Sequence, residues 1–118
     1  MKRDHRLFVK DIADAIRSVE VFLGTMSYEE FVKDEKTNNA VVWKIQIIGE
    51  ATKNVPRSVR QKYPDIPWKE MAGMRDRIVH SYFGIDHEIV WNVIKRRLPE
   101  IRPRIIEILQ DLGGDLFE

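Results

Sequence analysis

The residues of this chain best suited to chemistry stand in one short run, Arg75-Asp76-Arg77-Ile78-Val79-His80-Ser81-Tyr82. A guanidinium is a fixed cation that grips phosphate oxygens, an imidazole exchanges a proton near neutral pH, and a carboxylate can orient that imidazole. One proton-transferring group and one fixed cation suffice to cleave a phosphodiester without a metal ion. Acting on RNA, His80 would take or give a proton and Arg75 would stabilise charge building on the phosphorus oxygens. Asp76 would hold the histidine tautomer. Taken singly, each residue also has an ordinary reading: His80 as a last-turn histidine favoured by the helix dipole, Arg75 and Asp76 as surface charge. The combination singles out the run.

Other chemistries find no support in the sequence. The histidines are His5, His80 and His87, and no pair has the i, i+4 spacing with a glutamate that a helical metalloprotease site requires. With no cysteine, thiolate nucleophiles, disulfides and cysteine-type zinc sites are excluded. No Walker-type glycine loop occurs, since Gly49-Glu50-Ala51 falls within a helical pattern, and no Gly-x-Ser-x-Gly elbow is present. Neither a metal nor a cofactor is expected.

Helices must position the run. Leu7, Phe8, Ile12, Ala15, Ile16, Val19, Phe22 and Leu23 recur at three- and four-residue steps, which predicts a helix over Asp4 to Leu23 closed by Gly24. Ser27 and Glu30 form a capping box for a short helix to about Lys33. Val41, Ile45, Ile48, Ala51 and Val55 define a second long helix from about Glu35 to Pro56, with Trp43 flanking its apolar face. Between Pro56 and Pro67 a connector is expected, with Ser58 capping one turn that holds Val59 and Tyr63. Pro67 then opens a third long helix, predicted to reach about Tyr82, with Met71, Met74 and Ile78 on its core side and Gly84 ending it. At about 100° per residue, Arg75, Val79 and Tyr82 would share one stripe and Asp76 and His80 another. Asp86 caps the next helix, whose inner side carries Val90, Val93, Ile94 and Leu98, and Pro99 marks a bend. A last helix buries Ile101, Ile105, Ile108, Leu109 and Leu112 before Gly113-Gly114 releases a tail. The methionines and tryptophans are read as packing residues of the core or of a dimer interface.

The whole is an all-α, antiparallel bundle of four to five main helices, a single domain over residues 1–118 with its core at about 5–112. A chain of 118 residues can bury a core of its own. No stretch approaches the roughly 20 apolar residues of a membrane span, so a cytoplasmic location and no membrane partner are expected. With 20 basic against 19 acidic side chains, any nucleic-acid binding must be local. The best basic cluster is Lys95, Arg96 and Arg97 with Arg102 and Arg104, supplemented by Lys53, Arg57, Arg60 and Lys62; a solvated helix face is the competing reading.

Arg75, four residues, His80, one residue, Tyr82 matches the R-x4-H-x-Y motif, and the chain resembles the HepT-like toxins of the HEPN superfamily. Ile47-Ile48-Gly49-Glu50-Ala51, Tyr63-Pro64-Asp65-Ile66-Pro67-Trp68, Gly73-Met74-Arg75-Asp76, Val90-Trp91 and Leu98-Pro99 are similar to that family's landmarks, in its order, and the likeness spans about residues 5 to 112. The resemblance implies a homodimer whose two motif segments line a shared cleft. It further implies a metal-independent endoribonuclease, acting as the toxin of a toxin–antitoxin pair, with RNA as substrate. The implied partner is a minimal nucleotidyltransferase antitoxin that transfers AMP from ATP to Tyr82, placing bulk and negative charge beside Arg75. One departure stands out: many relatives carry asparagine after the motif arginine, where this chain has Asp76. A carboxylate there can orient histidine but repels phosphate. Glu50 is expected in a helix near the motif helix, with a structural role as its first reading and a pairing with an arginine of the motif helix as the alternative.

Two further functional classes stay open at the level of sequence. In one, the helical dimer is a non-catalytic binding partner and substrate of the nucleotidyltransferase. In the other it is purely structural, which explains neither the polar run nor the ordered landmarks.

Overall fold

A computed structural model of the chain describes residues 4–80 and 84–113, His80 by its backbone. The described residues are mostly helical. Helix α1 spans Arg6–Leu23, α2 Tyr28–Lys33, α3 Glu35–Asn54, α4 Arg57–Lys62, α5 Trp68–Ala72 and α6 Met74–Ile78. Strands β1 (Val79–His80) and β2 (Gly84–Ile85) follow, then α7 (His87–Asn92), a π-helical turn over Val93–Arg97, and α8 (Leu98–Gly113).

The local signals act much as their chemistry dictates. Gly24 closes α1 at a positive φ of 54° that side chains disfavour. Ser27 and Glu30 complete both halves of the capping box on α2. Asp34 accepts from the Thr37 amide to start α3, and Asp86 accepts from the Ile89 amide to start α7. The apolar faces meet in one core. α1 packs on α3 and α8, and Ile12, Ile16, Ile45, Ile48, Ile105 and Ile108 are sealed from solvent between them. Trp43 stays outside, 59% exposed, flanking the α3 face as its position in the pattern predicts.

The structure corrects four expectations. Pro56, not Ser58, precedes the turn that becomes α4: its carbonyl accepts the first helical amides, while no side chain caps that end. Pro99 does not bend the chain into a separate helix. Its missing N–H and its ring conflict with the carbonyl four residues earlier, and the strain is absorbed in the π turn, where the Leu98 amide reaches back to Val93. The chain therefore continues from α7 into α8. Third, Glu50 is exposed and pairs with Lys53 at 3.4 Å, not with an arginine of the motif segment.

The fourth concerns the predicted third long helix. Gly73 divides it into α5 and α6, with φ −97° and ψ 3°, and its amide is shared between the carbonyls of Lys69 and Glu70 at 3.2 Å each. Helix α6 then ends at Ile78 rather than near Tyr82. Val79 turns extended (φ −117°, ψ 123°), Val79 pairs with Ile85 and His80 with Gly84, and the Asp86 amide donates to the Ile78 carbonyl at 2.8 Å. The β-branched pair Ile78-Val79 and a Gly84 at φ 76° favour this antiparallel ladder over continued helix.

Candidate functional site

The exposed part of the motif segment rests on a buried keel. Met74 and Ile78, four residues apart on α6, are both within the core, as is Met71 at the end of α5. Arg75, Asp76 and Arg77 are therefore all exposed to solvent, fanned around the outer side of α6. Arg75 Nη1 lies 3.7 Å from Asp76 Oδ1, with side-chain exposures of 52% and 81%. Contact between neighbours so exposed is a loose, screened pairing that leaves most of the guanidinium donors open.

α5 and α6 are set from three sides. Gly49 lets α5 approach α3 closely: a Cβ at that position would stand 3.4 Å from the Ala72 carbonyl oxygen and 3.5 Å from that of Met71. Upstream, the Tyr63–Trp68 stretch is fastened to α8. Arg104 holds Asp65 with contacts of 2.6 and 3.2 Å, the Tyr63 hydroxyl bonds Asp111 at 3.2 Å, and the Trp68 indole donates to the Tyr63 carbonyl at 2.9 Å. The Arg104 guanidinium pulls Asp65 below the usual carboxylate range.

The third fastening is Glu70. Its carboxylate takes two hydrogen bonds from Arg97 on the π turn, one of them at 2.9 Å from Nε, and lies 3.5 Å from Arg77. The Arg97 bonds hold Glu70 below its ordinary pKa and raise that of Arg97, which also contacts Glu100 at 2.7 Å. Nothing local in the sequence announces this clasp, since Glu70 and Arg97 are 27 positions apart; only Arg97–Glu100 has helical i, i+3 spacing.

The candidate residues are thus brought together in part. Arg75 and Asp76 adjoin on α6, and His80 lies two residues beyond its end, on β1. The helical stripe that was to join Asp76 to His80 does not exist, because α6 stops at Ile78. Tyr82 falls outside the described residues. Of the basic cluster, Arg97 is committed to Glu70 and Glu100. Lys95 sits over the Trp91 ring, 5.4 Å from its centre, and Arg96 is exposed. Arg102 and Arg104 reach Glu20 and Asp65. This cluster is largely internally paired. His87 packs edge-on against Phe31 at 6.3 Å, a packing role. Among the described residues no group of three or more His, Asp or Glu side chains is arranged to hold a metal ion, and no helix is long and apolar enough to cross a membrane.

A model of the ribonuclease HepT-like family matches residues 12–108. The chain is 41% identical over 114 residues to Putative RNase MJ0127 of Methanocaldococcus jannaschii, an alignment covering 97% of this chain and 94% of that protein. It is 43% identical over 102 residues to Probable ribonuclease HepT of Thermococcus cleftensis, with 86% and 93% covered. Over 85 residues it is 47% identical to Putative RNase TTE0752 of Caldanaerobacter subterraneus, with 72% and 76% covered. No solved structure matches.

Proposed function

Because the chain belongs to the ribonuclease HepT-like family, we propose that it is an endoribonuclease toxin that cleaves RNA without a metal ion, using Arg75 and His80. The observation that carries this reading is the family match over residues 12–108 with the R-x4-H-x-Y motif, Arg75 to Tyr82, intact inside it. In the reaction, the RNA 2′-hydroxyl gives up its proton and attacks the adjacent phosphorus. The 5′-oxygen of the next nucleotide leaves and takes a proton. His80 serves these proton transfers, and Arg75 offsets the charge accumulating on the non-bridging oxygens. Asp76 is a positioning residue; with α6 ending at Ile78 it no longer shares a helical stripe with His80, and it stands beside Arg75 at 3.7 Å. The protein is a homodimer, and the motif segments of both copies border one cleft.

Control belongs to Tyr82. A minimal nucleotidyltransferase antitoxin transfers AMP from ATP to its hydroxyl, releasing pyrophosphate, and the added phosphate competes with RNA for Arg75. The test incubates RNA and chelator with wild-type protein, Arg75→Ala and His80→Ala. Wild type should cleave, and cleavage surviving both substitutions would remove the catalytic assignment. Intact-mass spectrometry with ATP and the nucleotidyltransferase should show added AMP; a Tyr82→Phe variant that gains the same mass would exclude the tyrosine.

A second reading, in which the dimer is only the binding partner and substrate of the nucleotidyltransferase, is favoured by one contact. Asp76 stands 3.7 Å from Arg75, where it competes with phosphate for the guanidinium. This reading predicts AMP addition without RNA cleavage.

A further inference from the structure

Beside the motif helix lies a groove of 730 Å³ lined by Ile66, Pro67, Trp68, Lys69, Glu70, Gly73 and Arg77. It is a shallow groove, broadly open to solvent, with room for a nucleotide to lie along it rather than be enclosed. The wall is apolar and fixed: half-buried Pro67 forms its surface, Ile66 and Trp68 back it from the core with only their edges reaching solvent, and the indole cannot turn because its N–H is bonded to the Tyr63 carbonyl. Around it stand one carboxylate and two cations. Glu70 is already held by Arg97, whereas Lys69 is exposed and Arg77 reaches Glu70 only at 3.5 Å with half its side chain in solvent. The charge left at the groove is therefore positive, beside an apolar wall. An unpaired nucleotide complements both, its base against the wall and its phosphate on the cations.

The position relative to Arg75 fits a strand that continues past the cleavage point. Arg75 and Arg77 lie about 100° to either side of Asp76 on α6, on opposite flanks of a helix roughly 10–12 Å across with its side chains. That is a span of one to two nucleotides. We propose that this groove is the subsite for an unpaired RNA nucleotide one or two positions from the scissile bond. The proposal rests on the ribonuclease reading for the chemistry, though not for the binding.

Binding is tested with single-stranded oligoribonucleotides that carry one 5-iodouridine at successive positions, photocrosslinked to the wild-type protein and mapped by mass spectrometry. Crosslinks within residues 66–77 are expected from one or two neighbouring positions. They should be lost in Gly73→Leu, which fills the groove at a φ of −97° open to any residue, where a Cβ meets nothing nearer than the Lys69 carbonyl at 3.6 Å. They should also weaken in Lys69→Gln/Arg77→Gln, with circular dichroism and melting temperature showing both variants folded. In cleavage, removing the base at the crosslinking position should lower kcat/KM about tenfold for wild type and hardly at all for Gly73→Leu. Crosslinks confined to other surfaces, or unchanged in Gly73→Leu, overturn the subsite even if the protein cleaves RNA. Crosslinks in the groove without cleavage by any protein retain the subsite and overturn the ribonuclease reading. If Gly73→Leu separates a dimer in analytical ultracentrifugation while RNA crosslinks persist, the groove seats a second copy and the proposal fails.

Discussion

Arg75 owes its exposure to Met74 and Ile78, which bury the opposite side of a helix only five residues long. Its substitution by alanine should thus leave folding intact while lowering RNA cleavage by about 10²- to 10³-fold, the scale of losing one charge-stabilising donor. Single-turnover cleavage beside a melting curve separates the two effects. Asp76→Asn removes the carboxylate 3.7 Å from that guanidinium, so RNA affinity should rise a few-fold and its salt dependence steepen, as read by anisotropy titrations at several salt concentrations. A fall in affinity would mean that Asp76 organises the RNA site. Glu70 offers a pH test. Its folded pKa lies below the ordinary 4.5 because Arg97 bonds the carboxylate, so the stability it contributes is present above that ordinary value and lost as pH falls through the folded one. The melting temperature of wild type should drop below about pH 4.5 more steeply than that of Glu70→Gln, and equal slopes would show that the pair contributes nothing.

At the scale of elements, Gly49 carries the clearest expectation. A Cβ at Gly49 would already be in van der Waals contact with two α5 carbonyl oxygens at 3.4 and 3.5 Å, so the further atoms of a Gly49→Leu side chain must displace the end of α5. The variant should lose cleavage and melt earlier; hydrogen exchange should quicken in α5 and α6 before α1. What the sequence made legible divides along the same lines. Gly24, Ser27–Glu30 and Asp86 act through their nearest neighbours, so their spacing alone placed the ends of α1, α2 and α7. The break at Gly73 and the exit at Val79 were not visible, because the periodicity of Met71, Met74 and Ile78 runs straight through Gly73 and carries no stop signal at Val79. What ends α6 is a ladder to Ile85 and an Asp86 amide that the pattern of one segment does not contain. The Glu70–Arg97 clasp was hidden for the same reason, and it removes Arg97 from the basic cluster. The geometry of the motif segment was not legible, since α6 ends at Ile78 where the pattern continued the helix.

For the whole molecule, the bundle of α1, α3 and α8 is a rigid base to which the short motif segment is tied by Gly49, Asp65–Arg104 and Glu70–Arg97. Ile45→Ala, at the sealed centre of that base, should cost about 2–5 kcal/mol in chemical denaturation. Because the cavity lies in the core rather than at α6, the folded fraction should keep its cleavage rate. Near-neutral overall charge fits a protein that grips RNA at a few chosen cations; Arg102 and Arg104 are paired locally, and Arg75, Arg77, Lys69, Lys95 and Arg96 are among the exposed cations to test.

Arg75 and His80 are proposed to cleave RNA through its own 2′-hydroxyl with no metal ion. The most direct measurement is the chemistry of the ends formed when wild-type protein cuts an oligoribonucleotide in excess chelator, compared with the same strand carrying a 2′-deoxy sugar at the cleavage point. Attack by the 2′-hydroxyl gives a 2′,3′-cyclic phosphate and a free 5′-hydroxyl from the RNA, no cutting of the deoxy strand, and loss of both products in His80→Ala. Cutting of the deoxy strand, or products bearing a 5′-phosphate, would contradict it.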